Sequence, residues 1–201
     1  MLGVLEKETG KIRGCMQELS DEELMERVKG NDPKPAFSEL MQRYECRLVN
    51  FLNRYTGNRE TAENLVQETF LRIYNNRNEY EPSAKFKTYI YRIATNLAID
   101  EFRKKNRRKE ELVDDFSQSE SSSPNPHEQV EIGDRAERVR ASLMKLDEKH
   151  RAVIVMKWFD GMKYEQIAKV LGISVGTVKS RVHYALKQLE VELKPLLNGD
   201  S

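Results

Sequence analysis

Tyr89, Arg92, Asn96, Asp100 and Arg103 recur at steps of three and four residues, so on a helix they share one face. That face offers an aromatic ring, two guanidiniums and an amide. Such a mixture suits single-stranded nucleic acid: rings stack on unpaired bases, amides read base edges and cations follow phosphates. The plainer alternative is an ordinary exposed face whose tyrosine packs sideways, and these five residues alone leave both open. A second set stands near the other end of the chain. Thr177, Lys179, Ser180, Arg181, His183 and Tyr184 lie on the outward side of a helix whose Val178, Val182, Ala185, Leu186 and Leu189 point inward. Lysine and arginine contact guanine or phosphate, and serine contacts phosphate or a base edge.

Bond-making chemistry has no comparable footing. The sequence shows no nucleophile–base pair, paired carboxylates, glycine-rich phosphate loop or cluster with metal-ligand spacing. His127, His150 and His183 are scattered, without ligand spacing. Cys15 and Cys46 give no disulfide framework and read as reduced thiols of a cytosolic protein. The expectation is a chain that is not itself an enzyme and uses no cofactor and no metal.

Helices must position both sets. Tyr164 to Leu171 reads as a helix with Ile167, Ala168 and Leu171 inward. Small Ala168 lets two helix axes approach, Gly172 suits a left-handed turn, Ile173 plugs the gap and Ser174 can cap the next helix. This is a helix-turn-helix pattern, whose second helix enters the DNA major groove N-terminal residues first. Upstream, Ile132, Ala136, Val139, Leu143 and Leu146 mark one helix. His150 to Phe159 is a short apolar one closed by Asp160-Gly161. Its apolar run could pass for a strand, but no partner strand lies nearby.

The first half reads as helices joined by short turns. Ser20 to Glu23 is a capping box before Leu24, Met25 and Val28. Residues 31–35 (Asn-Asp-Pro-Lys-Pro) end that helix and start another, from about Ala36 to Tyr55, stopped by Gly57. A third, from about Arg59 to Asn76, buries Ala62, Leu65, Val66, Phe70 and Ile73. It leaves Glu63, Gln67, Glu68, Leu71 and Tyr74 on the other side. Leu71 beside Gln67 and Glu68 marks a docking face for a partner, or a solvated face with one stray leucine. After a loop from Asn76 to Lys85 comes FKTYIYRIATNLAIDEFRKK, with Phe86, Ile90, Ile93, Ala94 and Leu97 buried opposite the Tyr89 row.

The 201 residues carry 34 Lys+Arg against 33 Asp+Glu, and 38% are hydrophobic. No stretch approaches the roughly 18 apolar residues of a membrane span, and the opening MLGVLEKETGK is expected to be no secretory signal. The even balance conceals a pattern. Residues 85–109 carry a net charge of +7 and residues 110–129 one of −6. The basic block RKKNRRK at 103–109 suits phosphate or an acidic partner. The tract 110–129, rich in Ser and acid with Pro124 and Pro126, reads as a flexible linker.

In order and spacing, ENLVQETFLRIY at 63–74, FKTYIYRIATNLAIDEFRK at 86–104 and YEQIAKVLGISVGTVKSRVHYAL at 164–186 resemble a bacterial sigma factor of the extracytoplasmic-function (ECF) group. The resemblance implies an all-α fold of two small helical domains, a sigma-2 bundle and a sigma-4 helix-turn-helix, joined by a flexible linker. The boundaries become an extension at 1–19, sigma-2 at 20–107, linker at 108–130 and sigma-4 at 131–197. It implies that Glu63, Gln67, Glu68, Phe70 and Leu71 dock on core RNA polymerase. Tyr89, Arg92, Asn96 and Asp100, with Lys85, Thr88, Arg103 and Lys104 around them, would take up the promoter −10 element as a single strand. The loop 76–86 would cup a flipped base. Thr177, Lys179, Ser180, Arg181, His183 and Tyr184 would read or clamp the −35 duplex. Partners follow: core polymerase, promoter DNA and an anti-sigma factor, in the cytoplasm or at the inner face of the membrane where such a factor holds it. The rival reading is a helix-turn-helix transcriptional regulator, which would need a ligand pocket or phospho-acceptor within 63–104.

Overall fold

The computed structural model describes residues 16–81, 85–113 and 133–197. Among them are eight α-helices, one 3-10 turn, one π-helical turn and no strand, so the chain is all-α as expected. Expectations for residues 1–15 and for the linker beyond Val113 lie outside the described residues.

Helix α1 (Asp21–Val28) begins at the capping box: the Glu23 amide donates to Ser20 Oγ at 3.2 Å and the Ser20 amide to Glu23 Oε2 at 2.7 Å. Helix α2 (Lys34–Thr56) starts behind Pro33 and ends at Gly57, whose φ of 75° closes the last turn. Asn58 caps α3 (Arg59–Asn75), accepting from the Thr61 amide at 2.7 Å. Helix α4 (Phe86–Val113) runs on through the basic block, past the expected linker start at residue 108. Residues 103–113 contain neither glycine nor proline and are dominated by Lys, Arg, Glu and Leu, all good helix formers. These helices enclose Leu24, Met25, Val28, Leu40, Leu48, Phe51, Leu52, Ile73, Phe86 and Ile90 completely. Each such side chain contributes about 1.5–3 kcal/mol on burial. The α3 stripe from Ala62 to Ile73 is buried as its spacing requires.

The second lobe comprises α5 (Gly133–Lys145), α6 (Glu148–Ile154), a π-helical turn (Val155–Phe159), α7 (Tyr164–Leu171) and α8 (Val175–Leu197). The short apolar helix is present and begins two residues earlier than expected, because Asp147 accepts from the His150 amide at 2.8 Å and so caps it. Helix α5 departs from its expected stripe. Leu143 and Leu146 face inward, but Ala136 and Val139 are exposed. Arg140 ties α5 to the first lobe, donating to Asn53 Oδ1 and to the Gly57 carbonyl, both at 3.1 Å.

The lobes are packed together, not merely tethered. Met156, Met162, Ile167 and Val170 of the second join one apolar cluster with Phe51 and Tyr91 of the first. Tyr91 donates its hydroxyl to Asp160 Oδ1 at 2.7 Å, Lys87 Nζ donates to the Asp160 carbonyl at 2.9 Å, and the Arg54 guanidinium lies 4.5 Å from the Phe159 ring centroid. Burial pushes the Asp160 carboxyl up, opposed by the Tyr91 hydrogen bond and by the charge of Lys87. Gly57 sits at this junction. A Cβ there would meet Met144 Sδ at 2.5 Å on a left-handed backbone. Gly57→Ala should therefore lower stability by about 1–2 kcal/mol, nearly all from the backbone, since the thioether can swing aside. An unchanged urea midpoint would contradict this.

Candidate nucleic-acid interface

The turn between α7 and α8 is built as its residues demand. Gly172 has φ of 63°, and the Ile173 amide reaches back to the Ala168 carbonyl at 3.1 Å. Ser174 Oγ accepts from the Thr177 amide at 3.0 Å and so caps α8. Ile167, Ala168, Val170, Val178, Val182 and Ala185 are buried between the two helices and beneath them. Lys179, Ser180, His183 and Tyr184 are exposed, and Thr177 and Arg181 half-buried. The His183 and Tyr184 rings meet edge-on at 5.7 Å. Leu186, expected inward, is exposed: it lies about 100° around the helix from buried Ala185, off the edge of the stripe, whereas Leu189 further along packs against the cluster of Leu143, Leu146 and Ile154. The result is a helix-turn-helix whose second helix presents cations and hydroxyls from its first two turns, where the helix dipole also favours a phosphate.

On α4 the expected row is displayed. Arg92, Asn96, Asp100 and Arg103 are exposed, as are Lys85 and Lys104, while Ile90, Tyr91, Ala94, Thr95 and Ala98 are buried. Arg103 and Asp100 form a long ion pair at 3.7 Å. Tyr89 is half-buried, its ring 5.1 Å from that of Tyr80 and 6.3 Å from that of Phe86. Burial pushes its phenol up, so it stays neutral and can stack or donate. Thr88 departs from the expectation: it is 7% exposed. It lies about 100° around the helix from Tyr89 and so turns into the bundle.

On α3, Glu63 and Gln67 are exposed, Glu68 is half-buried, and Leu71 is 54% exposed. Arg59 pairs with Glu63 at 2.8 Å and Arg72 with Glu68 at 2.9 Å. Phe70, expected both on the buried stripe and among the docking residues, is buried against Phe37, with ring centroids 6.1 Å apart, and supports the face from beneath. A charged groove lined by Glu68, Arg72, Asp100, Arg103 and Arg107 joins the α3 face to the α4 row.

Residues 40–108 match the family of Sigma-70 region 2, and residues 136–189 match Sigma-70, region 4. The ECF RNA polymerase sigma factor SigW of Bacillus subtilis is 33% identical over 180 residues, which cover 86% of this chain and 96% of SigW. The chain belongs to the ECF RNA polymerase sigma factors. The ECF sigma factor SigE of Mycolicibacterium smegmatis is 34% identical over 156 residues, 77% of this chain, and the match spans 60% of that relative's length. Among solved structures, the sigma factor RpoE of Bartonella quintana, in complex with the anti-sigma factor NepR, aligns with a TM-score of 0.64. It is 25% identical, over 79% of this chain and 96% of that one. One matched region falls within each lobe, so the helix-turn-helix and the α4 row belong to one transcription initiation factor. What the sequence did not disclose is the ring behind Tyr89. Tyr80 stands in the preceding loop yet is 2% exposed. The available signal was an aromatic residue in an otherwise polar loop, close before the helix that carries the row.

Proposed function

We propose that this ECF sigma factor brings core RNA polymerase to promoters by a division of tasks among the three surfaces. The α3 face from Glu63 to Leu71 docks on the polymerase, and Thr177 to Tyr184 of α8 grip the −35 duplex. The α4 row, with Lys85 and Lys104 at its flanks, takes up the −10 strand once it unpairs. The observation that carries this reading is the two-sidedness of α4. One side is locked into the core, so the other is held rigidly outward with a stacking ring, an amide and cations in line. Energetics require all three surfaces. Base stacking is worth about 1.4 kcal/mol per step, and one captured, stacked base returns about 1–3 kcal/mol. One pocket cannot melt a promoter alone, but the summed contacts can. The RpoE structure holds an anti-sigma factor, and we assign this chain a partner of that class, acting in the cytoplasm or at the membrane face where such a partner resides.

Run-off transcription with purified core polymerase, with and without the protein, tests the whole reading. Promoter-specific transcripts are expected only in its presence. Asn96→Ala should lower open-complex formation about tenfold while leaving −35 duplex binding intact, since removing one amide contact from a row of them costs about 1–3 kcal/mol. Permanganate reactivity of the −10 thymines reads this directly. Equal reactivity in the variant would remove Asn96 from the site.

A further inference from the structure

Helix α1 has been assigned no task. Its Glu22 and Glu26 and the Lys29 that caps its C-terminus follow one another at steps of four and three residues, on one stripe. Glu22 Oε1 accepts from the Phe86 amide at 2.8 Å. That amide is the first of α4 and has no acceptor within the helix. Lys29 Nζ donates to the Tyr80 carbonyl at 2.7 Å, lies 5.5 Å from the centroid of the same tyrosine's ring, and is itself held by Glu26 Oε1 at 2.7 Å. One short helix thus grips the chain just before residues 81–85 and again just after them. The two anchored residues, Tyr80 and Phe86, are the rings that back Tyr89.

We infer that Glu22 and Lys29 are positioning residues for −10 strand capture: through the Tyr80 carbonyl and the Phe86 amide they fix the rings on which Tyr89 rests, and neither touches DNA. The inference rests on the reading of the α4 row given above. Its physical content is preorganisation. A stacking ring that must first be ordered loses part of the binding free energy that stacking returns. Glu22 also places a negative charge at the N-terminus of the helix that carries the row, where the dipole favours it. Lys29 combines a charge-assisted hydrogen bond with a cation–ring contact, so removing its ammonium loses both.

The test uses the full chain assembled with core polymerase, on a promoter selected from a random duplex library by the wild-type holoenzyme. Glu22→Ala and Lys29→Met should each lower permanganate reactivity of the −10 thymines about fivefold to tenfold. Core affinity and −35 duplex affinity should stay within twofold of wild type. Glu22→Gln, which can still accept from the Phe86 amide, and Lys29→Arg, which can still reach the carbonyl and the ring, should recover most of the loss. Tyr89→Ala is the control. If Tyr89→Ala impairs melting but Glu22→Ala and Lys29→Met do not, the positioning role is overturned and the reading of α4 stands. If none of the three impairs melting, the reading of α4 fails and takes the inference with it. If Glu22→Ala and Lys29→Met lower core affinity as much as melting, or the conservative variants rescue nothing, α1 is only a structural brace.

Discussion

Arg151→Ala should lower the unfolding free energy by about 3–5 kcal/mol, since it strips four carbonyls of their charged donor at about 1–3 kcal/mol each, part of which water returns. Arg151 is 7% exposed and touches no candidate site. Its Nε donates to the Leu143 carbonyl at 2.9 Å, and one terminal nitrogen donates to the carbonyls of Met144 and Leu146 at 3.0 and 2.8 Å. The other donates to the Tyr55 carbonyl at 2.7 Å. Leu143 and Met144 lie in the last turn of α5, Leu146 just beyond it, and Tyr55 in the last turn of α2. Those are positions where carbonyls lack donors within their own helices. One guanidinium therefore caps helix ends from both lobes, with the charge that the negative ends of helix dipoles favour. Burial pulls its pKa down, and Tyr55, Glu148 and Asp147 pull the other way. With 2–4 °C per kcal/mol for a chain of this size, the melting midpoint should fall by about 10 °C. Arg151→Lys keeps the charge but not the five-donor fork, and should recover less than half of the loss. An alanine variant melting within about 2 °C of wild type would show that the four carbonyls find water at little cost.

Arg151 also shows where sequence reasoning stops. The apolar spacing of α3, the capping box at Ser20, the left-handed Gly57 and Gly172 and the Ser174 cap are local features, each decided within a few residues. Local patterns announced them, and with them the outward row on α4 and the outward face of α8. The contacts between lobes are different in kind. Arg151 with Tyr55, Tyr91 with Asp160 and Arg140 with Asn53 join residues roughly seventy to a hundred positions apart, and nothing near either partner distinguishes it. Tyr91 stands in none of the periodic rows read from α4, yet burial and the neighbouring Asp160 carboxylate push its phenol far up. The exposure of Val139 and Leu186 follows from the same cause: periodicity tells which residues share a face, not how much of that face another element covers. The grip of Glu22 and Lys29 on the chain around residues 81–85 is likewise a pairing across more than fifty residues, with no signature in α1 itself.

Joint reversal of two charges on α8, Lys179→Glu with Arg181→Glu, should reduce affinity for a −35 duplex by about a hundredfold to a thousandfold, at about 1–3 kcal/mol for each cation withdrawn from the DNA. Both residues lie within the first two turns after the Ser174 cap, Lys179 exposed and Arg181 half-buried on the two flanks of the buried Val178 and Val182, and neither belongs to that buried packing. The substitutions leave that packing alone, so the helix should persist and only its face change sign. The docking face proposed on α3 lies in the other lobe, so core affinity in the doubly substituted protein should stay within about twofold of wild type. The salt dependence carries the sharper information. If each cation neutralises one phosphate, the slope of log affinity against log salt should fall by about two. Lys187→Glu supplies the comparison. It is exposed on the same helix about two turns further on, beyond the N-terminal end proposed to enter the groove, and should change affinity only a fewfold. A slope unchanged by the double reversal, or a Lys187→Glu effect as large as that reversal, would mean that α8 meets DNA along another face and that the outward set was assigned to the wrong end of the helix.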